Sequence, residues 1–192
     1  MVTDVWGVLE EEQRLSWAFT PFRRVGPLEF GMTHEQAEVA VDGVLETGSA
    51  IGEGPSGNKY RSAEFWSVQL LDAPFFGPAV TVYYERSFGL AGIAVNALRG
   101  PQVTLDRMPL VGQVPSRLEN RFIDYLETHK MELQYSQHAD PCSEELGLVL
   151  RAQRAGDLVL SRPVMVAEAW AERCGDTTEG CIPQSEWKTF EW

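Results

Sequence analysis

The chain has 192 residues, 44% of them hydrophobic and 23% charged, the balance of an ordinary globular protein with a core to fill. Its 16 Lys and Arg against 28 Asp and Glu give a formal net charge of −12. Such a surface repels phosphate backbones, which argues against a nucleic-acid binder, and it steers the chain towards a basic protein partner.

The first stretch, "MVTDVWGVLEEEQRLSW", has no basic start and no apolar run of leader-peptide length, and it carries Asp4, Glu10, Glu11 and Glu12. No segment approaches the ~20 apolar residues of a membrane span. The expectation is a cytoplasmic protein without a membrane partner.

In "VGPLEFGMTHEQAEVAV" (25–41) a short apolar strand runs into Gly31, where a residue without Cβ can turn a corner freely. Thr33 reads as a helix N-cap and Gln36, three residues later, completes a capping box. Glu35 and Glu38 suit the positive end of the helix dipole. Ala37, Ala40, Val41, Val44 and Leu45 recur at helical spacing, which predicts a helix over 33–46 stopping near Gly48. Met32 reads as a core residue. "AIGEGPSGNKY" (50–60) is a glycine-rich loop between Glu46 and Glu53. It lacks the Gly-Lys-Ser/Thr ending of a phosphate loop.

Strand signals follow. "AVTVYYE" (79–85), "LAGIAVNAL" (90–98) and "QVTLDRM" (102–108) are separated by the turns "RSFG" and "RGP", and predict an antiparallel meander. The pattern then recurs. Pro109-Leu110 leads through Gly112 to Ser116 and Glu119, a second capping box, with Leu118, Phe122, Tyr125 and Leu126 as the apolar face of a helix over 116–129. Strands are predicted at 131–136, 145–153 and 157–170. The tail "CGDTTEGCIPQSEWKTFEW" (174–192) is turn-rich and carries Trp187, Phe190 and Trp192, which are expected to fold back on the sheet.

The fold class is therefore α+β: a single domain over 1–192 made of two pseudo-repeats, each a helix packed on an antiparallel β-meander. The first covers about 25–108 and the second about 109–170, with a C-terminal tail over 171–192. Neither half can bury its apolar face alone, so the two should pack together.

Catalytic chemistry has little to draw on. His34 follows an N-cap and should be exposed, and His129 ends a helix, where the dipole favours a cation. His138 and Cys142, with Cys174 and Cys181, contain zinc-binding atoms, but at spacings unlike those of ribbons or fingers. No zinc or other cofactor is expected. His138, Asp140 and Cys142 lie within one loop, where a surface turn at Asp140-Pro141 is the simpler reading than a nucleophile set. "CGDTTEGC" has glycines that permit a small disulfide loop between Cys174 and Cys181. The odd number of cysteines equally suits free thiols in a reducing compartment.

Binding has more. Six Trp, five Tyr and nine Phe are enough to fill a core with some left over, and Trp, Tyr and Arg are the residues that anchor interfaces. Strand alternation sends Tyr83 and Tyr84 to opposite faces, so one of them should face solvent. Phe88 falls at a turn tip. Candidate partner contacts are Tyr83, Tyr84, Glu85, Phe88 and the loop acid Glu53.

"LEFGMTHEQAEVAV" resembles the repeat motif of the beta-lactamase inhibitory proteins and of small outer-membrane assembly lipoproteins, in which a strand enters Gly-Met-Thr and the Thr caps a helix ahead of an antiparallel sheet. The match lies at Gly31, Met32 and Thr33, with an echo at Gly112, where Gln113 and Val114 replace Met and Thr. The chain is also similar to actinobacterial proteins and to immunity proteins that neutralise polymorphic toxins. The resemblance implies a binder that holds its target on the concave face of a sheet. Without leader or paired cysteines, it implies a cytoplasmic immunity protein that blocks a basic toxin sterically, not an enzyme. The rivals are a small hydrolase using the His138/Cys142 region and a chaperone-like or structural module of a secretion system.

Overall fold

A computed structural model describes residues 7–52, 60–68 and 77–188. The protein is α+β. After a 3-10 turn at Glu11–Gln13, strands β1 (Ser16–Thr20), β2 (Arg24–Val25) and β3 (Leu28–Glu29) lead to helix α1 (His34–Val41). Strands β4 (Leu45–Gly52), β5 (Tyr60–Ser67), β6 (Val80–Glu85) and β7 (Gly89–Val95) follow. Then come β8 (Gln102–Leu105), β9 (Met108–Pro109) and helix α2 (Pro115–His129). The last strands are β10 (Gln134–Tyr135), β11 (Pro141–Ser143), β12 (Leu148–Ala155) and β13 (Leu158–Val166). Two short helices close the described chain, α3 (Glu168–Ala171) and α4 (Gln184–Lys188).

The eight-stranded sheet has the order β10-β11-β12-β13-β7-β6-β5-β4 and is antiparallel at every pairing. Each helix is thus followed by a four-stranded meander. The last strands of the two meanders, β7 and β13, pair at the centre, Gly92–Ala94 against Val164–Val166. A smaller sheet, β3-β2-β1-β8-β9, stands apart. The stretch 102–108 therefore does not continue the first meander: β8 leaves it and pairs in parallel with β1.

The approaches to the two helices match atom for atom. Gly31 has φ 92° and Gly112 has φ 67°, left-handed values that favour glycine. The Gly31 amide donates to Leu90 O of β7 (2.8 Å), and the Leu90 amide donates back to Met32 O (2.8 Å). The Gly112 amide donates to Ser161 O of β13 (2.9 Å), and the Ser161 amide donates back to Gln113 O (2.9 Å). Each glycine stands three residues before its helix.

The helices differ from expectation at their ends. Thr33 caps α1 as read: its hydroxyl accepts from the Gln36 amide, and Gln36 Oε1 accepts from the Thr33 amide. The helix ends at Val41, however, because Gly43 (φ 78°) turns the chain and Leu45 begins β4. Gly48 is not a helix stop. It lies in β4, where a Cβ would come within 2.2 Å of Trp66 Nε1. The expected Ser116/Glu119 capping box is absent: α2 begins at Pro115, behind Val114, whose side chain has no oxygen to cap with. Proline needs no partner for an N–H at that position. Glu119 Oε1 instead accepts from Tyr135 OH (2.8 Å). Parts of the expected 50–60 loop are strand, in β4 and at Tyr60. The expected last strand ends at Val166, and α3 follows.

The main core fills the space between the large sheet's first face, the two helices and the small sheet. Phe65, Val82, Ile93, Leu148 and Met165 from the sheet meet Val41 of α1, the Leu118–Phe122–Leu126 stripe of α2, and Trp17, Val25 and Val103. Each such side chain contributes ~1.5–3 kcal/mol by leaving water.

Candidate functional site

The centre of the second face of the large sheet is not left open. Tyr83, Ala91, Ala94, Cys142, Val149, Val164 and Val166 point to it, and Trp170, Cys174, Ile182 and Trp187 of the C-terminal segment cover them. Trp187 thus folds back on the sheet as the sequence suggests; Phe190 and Trp192 lie outside the described residues. Among these apolar side chains sits a buried ionic cluster. Arg162 of β13 donates from Nε to Glu186 Oε1 (2.8 Å) and from Nη2 to Oε2 (3.0 Å). Arg151 of β12 donates from Nη1 to the same Oε1 (3.2 Å) and from Nη2 to Trp187 O (3.0 Å), with its guanidinium 5.1 Å above the Trp187 ring. Tyr83 OH donates to Glu186 Oε2 at 2.5 Å. Burial alone would raise the Glu186 carboxyl, but Arg162 and Arg151 outweigh it and hold it below the usual carboxylate range. Burial first, and then Glu186, push the Tyr83 phenol up, so it stays a donor.

The expected contact residues are placed apart. Tyr83 and Tyr84 do take opposite faces, yet both are buried, because both faces are covered there. This corrects the expectation that one faces solvent. Tyr84 OH and His34 Nδ1 lie 2.9 Å apart in a hydrogen bond. His34, expected to be exposed, is buried, its ring packed between Tyr60, Phe65 and Tyr84. Glu85 and Phe88 belong to the β6–β7 hairpin. Glu85 Oε2 accepts from the amide (3.0 Å) and hydroxyl (2.6 Å) of Ser87, which lower its pKa. Phe88 is 42% exposed at the tip. Its ring lies over Gly31, 3.7 Å from where a Cβ would stand. Glu53 lies outside the described residues.

Beside the covered centre, the β4–β6 half of the second face carries Ile51, 63% exposed, with Ser62, Glu64 and Thr81. A cleft of about 180 Å³ there is closed on one side by Ser185 and Glu186.

The His138/Cys142 region does not form a nucleophile set. Cys142 is buried against Cys174, whereas His138 is exposed on the β10–β11 turn with its ring parallel to Trp187 at 6.2 Å. Asp140 is not on a surface turn: it is buried, accepts from Ser136 Oγ (2.7 Å), and Pro141 begins β11. Burial raises its pKa. All three cysteines are free, with Cys142 and Cys174 buried and Cys181 exposed. Among the described residues no three His, Cys, Asp or Glu side chains gather as metal ligands, and no helix is long and apolar enough to cross a membrane.

Sequence reasoning missed Arg151, Arg162 and Glu186. The two arginines do leave a signal: each interrupts an apolar strand, "LVLRAQ" and "LVLSRPVMV", where a charge needs a buried partner. Glu186 has no such mark. Comparison of the chain with family models, curated proteins and solved structures gives no match.

Proposed function

We propose that this chain is a protein-binding inhibitor, acting as a cytoplasmic immunity protein that sterically blocks a basic toxin, and that its two helix–meander halves are copies of one unit. The matching bonds of Gly31 and Gly112 support the second part. The observation that carries the first is Phe88, a large aromatic exposed at the β6–β7 tip on a rigid mount. The hairpin is tied to the α1 approach by two backbone bonds, and Glu85 beside it is fixed by Ser87. An anchor already ordered loses little entropy on binding. The C-terminal segment occupies the centre of the second face. The partner therefore meets the hairpin tip and the open β4–β6 strip with Ile51 and Glu64, rather than the whole concave face that the resemblance implies.

The test is surface-binding kinetics of Phe88→Ala against the toxin encoded beside this chain, since an immunity gene usually sits next to its toxin. The expected result is faster dissociation and a loss of about 2 kcal/mol, roughly thirtyfold in affinity, with thermal unfolding unchanged. Unaltered dissociation removes the hairpin from the interface.

A further inference from the structure

We infer that the cleft between the β1–β2 turn and β3 is a second binding site, which takes an acidic peptide segment bearing an apolar side chain. The site goes beyond the inhibitor reading and does not depend on the partner being a toxin. Thr20, Phe22, Arg23, Arg24, Glu29 and Phe30 line a space of about 440 Å³, within the ~300–1,000 Å³ of ligand-holding clefts.

Three observations converge on it. First, its charge is opposite to that of the chain. Two arginines face one carboxylate, in a protein of net charge −12. Among the described residues neither guanidinium has a hydrogen bond or an ion pair, not even with Glu29, although Arg24 and Glu29 are partners in the β2–β3 register. Unpaired exposed guanidiniums, planar and forked, are suited to gripping carboxylates with two bonds. Second, Phe22 and Phe30 are half-buried, each packed on one side against the second-face core and open on the other to the cleft. Third, Phe22 is held at φ 62° in the turn closed by the Arg23 amide on Thr20 O (3.0 Å). That position, after Pro21, favours glycine or asparagine. A bulky residue there is under backbone strain, and such strain clusters at ligand clamps. The turn holds the ring over Gly147, where Phe22 Cε1 comes within 2.8 Å of an ideal Cβ position. Two aromatic walls with cations at the rim are the surface that an acidic-apolar segment fits, carboxylates on Arg23 and Arg24 and the apolar side chain between the rings.

The experiment is an NMR titration of the 15N-labelled full chain with acetyl-Glu-Phe-Asp-Glu-Leu-Glu-amide, and with its neutral counterpart acetyl-Gln-Phe-Asn-Gln-Leu-Gln-amide. The acidic peptide is expected to shift the amides of Phe22, Arg23, Arg24 and Phe30 and the arginine Nε–H signals saturably, and to bind at least roughly tenfold more tightly than the neutral one. Added salt should weaken it. The double variant Arg23→Gln/Arg24→Gln keeps the fold, since both side chains are exposed and unpaired, and should lose the binding. Absence of saturable shifts, equal binding of the two peptides, or full binding by the double variant each overturns the proposal. None of these outcomes touches the inhibitor reading, because Phe88 does not line this cleft.

Discussion

Glu186 is the residue that fastens the C-terminal segment to the sheet. It brings one carboxylate to two arginines and a phenol, all buried. Removing one member of a buried charge network leaves the others uncompensated, at a cost of about 3–5 kcal/mol. Glu186→Gln should therefore lower stability at pH 7 by that order, read from denaturant unfolding. The pH dependence follows from the lowered carboxyl. A group whose folded pKa is depressed contributes stability above its unfolded pKa, about 4.3 for Glu, and loses it as pH falls through the folded value. The gap between native and Glu186→Gln proteins should thus be full at pH 7 and shrink on acidification below that range. A gap that stays constant with pH would show that the carboxylate charge is not what holds the segment. Asp140 works in the opposite direction: burial raises its pKa, so its charge costs stability at neutral pH and the cost disappears in acid.

At the scale of elements, the three cysteines report how the segment after β13 is laid down. Cys174 is buried against Cys142, and the hydrogen bond between the thiols, with burial, pushes the Cys174 thiol up, while Cys181 is exposed. Alkylation of the native protein should modify Cys181 quickly and leave Cys142 and Cys174 until the chain unfolds; peptide mass mapping reads this. Rapid modification of Cys174 would mean that the segment does not cover the sheet.

Elements with strong local signals were legible in the sequence. α2 was readable from Leu118, Phe122 and Leu126, and β6, β7, β12 and β13 from their apolar runs. β1, β4 and β5 were not, and β2 and β3 only as one short apolar strand running into Gly31, for physical reasons. β2 and β3 have two residues each, and β4 is largely exposed, with Gly48 there to admit Trp66 rather than to make a turn. The parallel pairing of β1 with β8 joins residues 86 apart in the chain, which no local pattern encodes. Of the candidate site, the exposed turn position of Phe88 was legible. The burial of Tyr83 was not, because its cover comes from residues about a hundred positions away.

For the whole molecule, the balance of 28 acids against 16 bases acts at long range. Association with a basic partner should slow steeply between low salt and about 0.15 M, where the screening length is ~8 Å, while dissociation changes less. Salt-independent association would leave the acid as a solubility device. Inhibition by binding is read from a titration of the neighbouring toxin's activity with this chain. Activity should fall linearly to zero at one equivalent, and Phe88→Ala should require an excess to do the same. Full activity under saturating amounts of this chain would contradict it.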